Sequence, residues 1–129
     1  MDYLIDTHIL IWCIAGNSSL SKKIIKEIDD PKNRILLSTV SLWEIAIKVN
    51  LGKLNIGIPF DELEGFLRDK KFFLLDYSYN DLNILTQLPH HHRDPFDHLI
   101  ICQAINNNLT IITDDEKFKL YPVSLLSHE

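Results

Sequence analysis

The sequence predicts an α/β fold, a three-layer α/β/α sandwich with a central parallel sheet. Short, uniformly apolar segments alternate with longer segments of helical character along the whole chain, and this alternation is typical of a parallel sheet covered on both faces. A length of 129 residues and a hydrophobic fraction of 46% suit one core, because two cores in so short a chain would each be too small to be stable. We therefore expect a single domain over residues 1–129.

The predicted elements follow one another in a regular order. Strands are expected at residues 3–5, 35–38, 72–75, 110–113 and 123–125, and helices at residues 21–28, 41–50, 59–70, 80–88 and 95–106, with one helical turn at 115–118. Ile24, Ile25 and Ile28 recur at helical spacing in the first helix. Pro59 and Pro95 favour helix starts, and Gly52 favours a helix end.

Composition and charge limit the possible classes of protein. The sequence contains no apolar run near the roughly 20 residues that a membrane-spanning helix needs, and its first residues lack a signal peptide pattern, so we expect a cytoplasmic protein. Cys13 and Cys102 stand in separate apolar stretches and predict buried thiols, not a disulfide. The net charge of −5 argues against a protein that binds nucleic acid through its overall field, but it does not exclude a nuclease.

Acidic residues stand at the ends of the predicted strands and the starts of the predicted helices. Asp6 follows the first strand, Glu44 lies in the helix after the second strand, Asp94 and Asp97 flank a helix start, and Asp115 follows the strand at 110–113. In a parallel sheet with crossover helices these positions share one edge, and ligands bind there, at the point where strand order reverses. The sequence therefore predicts that the acids converge.

Each acid also has a structural interpretation. Ser41 and Glu44 have the spacing of a capping box, and Asp94 suits a helix N-cap with Asp97 as a favourable charge in the first turn. Asp6 fits this interpretation less well, because no clear helix start follows it. Singly, capping is the better interpretation for Glu44 and Asp94.

The acids as a set favour a metal site. Two carboxylates 4 Å apart repel by about 1 kcal/mol in water and about 4 kcal/mol at an effective dielectric constant near 20, and Arg93 is the one basic neighbour of these motifs in sequence. A divalent cation relieves that repulsion, and all-oxygen ligands suit Mg²⁺ or Mn²⁺. Such sites favour phosphoryl-transfer chemistry with an activated water.

Four sequence blocks in fixed order carry a family resemblance. They are Leu4-Ile5-Asp6-Thr7-His8, Ser41–Lys48 with Leu51–Leu54, His92–Asp97 with Leu99 and Ile100, and Ile112-Thr113-Asp114-Asp115. Together they resemble the PIN-domain ribonucleases, specifically the VapC-type toxins of bacterial and archaeal toxin–antitoxin pairs. Over nearly the whole chain, the resemblance implies a three-layer α/β/α fold and an Mg²⁺- or Mn²⁺-dependent endoribonuclease that acts on RNA.

The resemblance also implies roles for residues and partners. It carries the family's acidic motif over to Asp6, Glu44, Asp97 and Asp115, with Asp94 as the extra acid of one subgroup. It implies a small antitoxin that places a basic side chain among the acids, and we expect a homodimer. His98 departs from the pattern, because an arginine is common at that position.

Several interpretations stay open at this level. His90, His91 and His92, with Asp94 and His98, suggest zinc, but the spacing matches no standard zinc site, so we expect a solvated loop with at most one histidine beside the acids. Thr7 and Thr113 either orient carboxylates or only satisfy strand ends. Lys48 either meets a phosphate or pairs with Glu44.

The large aromatic residues are expected in the core, although a dimer interface is an alternative for the two tryptophans. They are Trp12, Trp43, Phe66, Phe72, Phe73 and Phe96.

Two alternatives to the ribonuclease also stand. One is a structure-specific DNase, and the other is a binding module that keeps the metal site while its main output is an antitoxin complex on DNA.

Overall fold

A computed structural model describes residues 1–16 and 20–127 and confirms the predicted fold class. In these residues the sheet has five strands: β1 (Asp2–Ile5), β2 (Arg34–Ser38), β3 (Phe73–Leu75), β4 (Thr110–Ile112) and β5 (Ser124–Leu126). All four pairings are parallel, and the strand order is β3-β2-β1-β4-β5.

Helices connect the strands. The α-helices are α1 (Thr7–Ala15), α2 (Lys22–Asp29), α3 (Thr39–Asn50), α4 (Leu63–Asp69), α5 (Tyr79–Leu85) and α6 (Pro95–Asn107), and 3-10 segments cover Phe60–Glu62 and Glu116–Leu120. No described helix is long and apolar enough to cross a membrane.

The alternation of side chains along the strands divides the interior into two cores. On β1, Tyr3 and Ile5 join one core with residues of α1, α2 and α4. Leu4, which points to the opposite face, joins the other core with Leu99 and Ile100 of α6. Because successive strand residues face opposite sides, a strand buried on both faces needs apolar residues at every position.

Helix α1 is absent from the sequence prediction, which judged that no helix starts after Asp6. The segment Thr7–Ala15 is almost entirely apolar, so it shows no polar face by which helical periodicity is recognised. Asp6 is nevertheless its N-cap, since its side chain accepts a hydrogen bond from the backbone of Ile9.

Other element ends also differ from the prediction. Helix α3 begins two residues early, and its N-cap is Ser38, whose hydroxyl accepts a hydrogen bond from Val40 N at 3.0 Å. The predicted capping box of Ser41 and Glu44 is therefore wrong. The helix predicted over residues 59–70 divides into a 3-10 turn and α4.

The strand order reverses beside β1 and so defines a site. The chain runs outward from β1 to β2 and β3, then returns to add β4 and β5 on the other side. In register, Ile5 lies beside Leu37 and Ile112, so β1, β2 and β4 end at one level. The carboxyl ends of β1 and β4 therefore form the crevice where α/β proteins bind ligands.

Candidate active site

The acid cluster, defined here as Asp6, Glu44, Asp94, Asp97 and Asp115, lies at this carboxyl edge. Asp6 directly follows β1 and is 2% exposed. One of its carboxylate oxygens accepts a hydrogen bond from Ile9 N at 2.9 Å, and the other accepts from the Thr113 hydroxyl. Asp6 is thus held by the first turn of α1 and by the end of β4.

Thr113 connects two members of the acid cluster. Its hydroxyl oxygen accepts a hydrogen bond from Asp115 N at 3.0 Å while its hydrogen is donated to Asp6. Asp115 in turn caps the 3-10 segment that follows β4, since its Oδ1 accepts from Lys117 N at 2.9 Å. Of the two interpretations of Thr113, the structure supports the orientation of a carboxylate.

Glu44 is buried on α3, with 2% of its surface exposed. The Thr7 hydroxyl donates to Glu44 Oε1 at 2.8 Å and also lies 2.9 Å from the Ser41 hydroxyl oxygen. Lys48 Nζ lies 2.5 Å from Glu44 Oε2. Glu44 therefore does not cap its own helix, and of the two interpretations of Lys48 the ion pair is the one observed.

Asp94 and Asp97 hold the start of α6. Asp94 is the N-cap, as predicted, because its Oδ1 accepts from Phe96 N at 2.9 Å and from Asp97 N at 3.1 Å. Asp97 lies in the first turn, where the helix dipole favours a negative charge. Its side chain is 15% exposed.

The electrostatics show that these acids act on one another. Burial and, in decreasing order, the charges of Asp94, Glu44, Asp6 and Asp115 together raise the pKa of Asp97 to about 8. Burial also raises the pKa of Asp6 to about 6, against the opposing effects of its hydrogen bonds from Thr113 and Ile9. All five acids are therefore close enough to interact, as the strand-end argument predicted.

The side chains of the acid cluster are not arranged as a complete set of metal ligands. Among residues 1–16 and 20–127, no group of three or more His, Cys, Asp or Glu side chains is arranged to hold a metal ion. Lys48 supplies a positive charge beside these acids: the pKa of Lys48 is raised chiefly by its hydrogen bond to Glu44, with help from the charges of Asp94 and Asp97.

Sequence reasoning missed one contact of the acid cluster. His92 Nε2 lies 3.1 Å from Asp97 Oδ2, and His92 Nδ1 lies 2.7 Å from the Tyr121 hydroxyl. One histidine beside the acids was expected, but in a solvated loop, whereas the His92 side chain is only 7% exposed. Tyr121 carried no signal, because it stands 29 residues away in sequence.

Two aromatic residues also contradict the expected core. Trp43 is 60% exposed and Phe73 is 50% exposed. Trp43 precedes Glu44 on α3, and its ring meets the edge of Phe96 with centroids 5.3 Å apart. The aromatic pair therefore covers the surface next to Glu44 and Asp97 instead of filling the interior.

Solved structures share this fold over the full chain. A chain of the VapBC2 complex from Rickettsia felis, bound to a DNA fragment from its promoter, is 22% identical, with a TM-score of 0.75 and all of both chains covered. The DNA-bound VapBC of Salmonella typhimurium is 17% identical, with a TM-score of 0.74 and coverage of 100% of this chain and 99% of that one. VapBC-1 of Haemophilus influenzae is 20% identical, with a TM-score of 0.70 and coverage of 99% and 98%.

Sequence comparison supplies the family. No curated protein matches the chain, and the identities above are low enough that those structures establish the fold alone. The PIN domain family model, however, matches residues 3–123. With the acid cluster at the expected edge of the sheet, the chain therefore belongs to the PIN domain family, a family of nucleases.

Proposed function

We propose that this protein is a metal-dependent endoribonuclease and the toxin of a VapC-type toxin–antitoxin pair. The observation that carries the proposal is the convergence of four acidic charges on half-buried Asp97, at the point where strand order reverses. Buried carboxylates without matching cations are costly, so a fold that keeps them together gains by binding a cation from solution.

The donor set fits Mg²⁺ or Mn²⁺. Carboxylate oxygens are the ligands that these hard cations prefer, and Asp6, Asp97 and Asp115 are the residues we assign to hold the ion, with Glu44 and Asp94 as auxiliary acids. When bound, such an ion lowers the pKa of a water and favours its attack on a phosphodiester.

The residues of the chain prepare this chemistry. Thr113 holds Asp6 and Asp115 in a fixed relation, and Thr7 holds Glu44. Lys48, which pairs with Glu44, offers a positive charge near the acids, where it would meet an RNA phosphate. Because phosphate contacts are electrostatic, we expect RNA binding to weaken strongly as salt rises.

The proposed partners follow from the neighbours and from the charge of the site. The similar structures are VapBC complexes, so we propose a cognate antitoxin that places a basic side chain in the acid cluster. That side chain would occupy the position we assign to the metal ion, which makes inhibition and metal binding mutually exclusive. A homodimer and a cytoplasmic location belong to the same proposal.

Asp97→Asn in the presence of Mn²⁺ is the direct test. We expect RNA cleavage to fall by about 100-fold or more, because the substitution removes a ligand and several kcal/mol of metal-derived stabilisation. Asp61→Asn, at an exposed position of the 3-10 turn before α4, is the control and should cleave normally. Undiminished cleavage by Asp97→Asn would show that the site is wrong.

Two substrates in one assay separate the alternatives. Matched RNA and DNA oligonucleotides distinguish a ribonuclease from a DNase, since the sequence does not show how a 2′-hydroxyl is recognised. A binding module would cleave neither substrate, yet would still form an antitoxin complex on DNA.

A further inference from the structure

His92 is held between the acid cluster and Tyr121 by contacts of both of its ring nitrogens. It lies in the segment between α5 and α6, two residues before the N-cap Asp94. Its side chain is 7% exposed, and both of its ring nitrogens have hydrogen-bond partners, Tyr121 at Nδ1 and Asp97 at Nε2. A histidine on a solvated loop would have neither feature.

The hydrogen bonds of Tyr121 determine which nitrogen of His92 carries the hydrogen. The Tyr121 hydroxyl oxygen accepts hydrogen bonds from His91 N at 3.1 Å and from His92 N at 3.3 Å. A hydroxyl has two acceptor positions and one hydrogen, so with both positions filled the Tyr121 hydrogen is donated to Nδ1. Nδ1 is then an acceptor, and the hydrogen of the neutral ring lies on Nε2.

That arrangement directs a donor at Asp97. The Nε2–H group of His92 points to Asp97 Oδ2, 3.1 Å away, and this oxygen accepts the hydrogen bond when Asp97 is ionised, which is the form that binds a cation. A neutral donor orients the carboxylate without supplying a positive charge, so the charge of Asp97 stays available for a cation.

His98 fixes the backbone of the same segment. Its Nε2 donates to the His92 carbonyl oxygen at 2.7 Å, and its ring contacts the His92 ring edge-on with centroids 4.9 Å apart. Because His98 follows Asp97 on α6, the helix that carries Asp97 also holds the residue that orients it.

We propose that His92, held by Tyr121 with its hydrogen on Nε2, is a positioning residue that orients Asp97 for metal binding. The role of Asp97 as a ligand rests on the proposed function, whereas the arrangement of His92 does not. Hydrogen-bond partners of metal-binding carboxylates commonly contribute about 10- to 100-fold to metal affinity.

The first test measures the tautomer of His92 in the absence of metal. Nitrogen-15 NMR of the imidazole rings in the metal-free chain should show His92 with its hydrogen on Nε2, and Tyr121→Phe should shift its population toward the other tautomer. A His92 signal with the hydrogen on Nδ1 in the unmodified chain would overturn the proposal.

The second test compares two amides at position 92. A glutamine amide reaches about as far as Nε2, whereas an asparagine amide reaches about as far as Nδ1, so His92→Gln keeps a donor for Asp97 and His92→Asn does not. Mn²⁺ affinity, measured by electron paramagnetic resonance, should fall about 10- to 100-fold in His92→Asn and stay within about threefold in His92→Gln.

Controls separate positioning from folding. Thermal melting without metal should be similar for the two variants, and loss of Mn²⁺ binding in Asp97→Asn assigns the measured ion to the acid cluster. Equal Mn²⁺ affinities for the asparagine and glutamine variants, whether high or low, would overturn the proposal.

The two proposals fail differently. Normal Mn²⁺ binding without RNA cleavage in the unmodified chain would overturn the ribonuclease but leave the positioning role supported. No Mn²⁺ binding at all would overturn both the metal-dependent function and the positioning role for metal, with the NMR spectrum still deciding the tautomer.

Discussion

Two aspartates at opposite ends of β1 show how differently one residue type is used. At the amino end, Asp2 pairs with Arg34 through two contacts of 3.1 and 2.8 Å, and this hydrogen bonding holds the pKa of Asp2 below its usual value. Four residues later, buried Asp6 has a pKa raised to about 6 and neighbours that are themselves acids.

The difference lies in where the balancing charge comes from. At Asp2 the chain supplies an arginine on the adjacent strand, so the charge is balanced at the surface. At the acid cluster Lys48 pairs with Glu44, while Asp97 feels four negative charges. A fold that balances one strand end and leaves the other strongly acidic is suited to receive a cation at the acidic end.

The largest expected effect is the difference in RNA cleavage between Asp6→Asn and Asp2→Asn. We expect Asp6→Asn to lower Mn²⁺-dependent RNA cleavage by about 100-fold or more, since it removes one charge of the proposed metal site. Asp2→Asn makes the same change at the other end of β1 and should leave cleavage unchanged. Initial rates on one RNA oligonucleotide measure both, and equal losses would contradict the assignment.

The pH dependence of stability should differ between the two ends. The folded pKa values of Asp97 and Asp6, about 8 and about 6, lie above the ordinary value of 3.8. The folded state therefore binds more protons than the unfolded state, and the stability that these groups contribute is full below about pH 4 and is lost as pH rises through 6 and 8. Asp2 has the opposite sign, because its lowered pKa gives stability that is lost at acid pH.

Urea unfolding of the metal-free chain between pH 5 and 9 tests the direction of this pH dependence of stability. Stability should decline toward pH 9, and Asp97→Asn should reduce the decline. Added Mn²⁺ should restore stability mainly above pH 6, because it binds the ionised carboxylates. A metal-free stability that is flat or rising from pH 6 to 9 would contradict the shifted pKa values.

Substitution of Lys48, the lysine that pairs with Glu44, should have a smaller effect. Lys48→Gln leaves Glu44 without its ion pair, and since Lys48 is 38% exposed we expect a loss of only about 1 kcal/mol without metal. The stabilisation by Mn²⁺ should then exceed that of the unmodified chain. Lys119→Gln, which breaks an exposed pair with Glu116, is the matched control and should change neither melting temperature nor Mn²⁺ response.

The smallest effect is expected at the amino end of β1, where Arg34 pairs with Asp2. Arg34→Gln should raise the pKa of Asp2 toward its usual value, as measured by NMR titration, because its main partner is gone. Exposed ion pairs contribute little, so the melting temperature should change by no more than about 2 °C. A larger loss of stability, or any loss of cleavage, would show that the pair is coupled to the acid cluster.

Much of the fold was predictable because its signals are local. Buried parallel strands are apolar at every position, and all five strands were expected within about a residue of their observed ends. Helix α1 was missed for the same reason that β1 was found, since a segment buried among other elements shows no polar face. The N-cap role of Asp6 was missed with it.

The sequence by itself determined which edge of the sheet carries the acids, because each acid lies shortly after a strand or in the first two turns of a helix. It also determined the family, through four short blocks in order. Only the tertiary structure decided what each acid touches: Thr113 reaches Asp6 across 107 positions, and Tyr121 reaches His92 across 29. Such contacts depend on which strands and loops the fold brings side by side, and no local pattern of residues encodes that choice of neighbours.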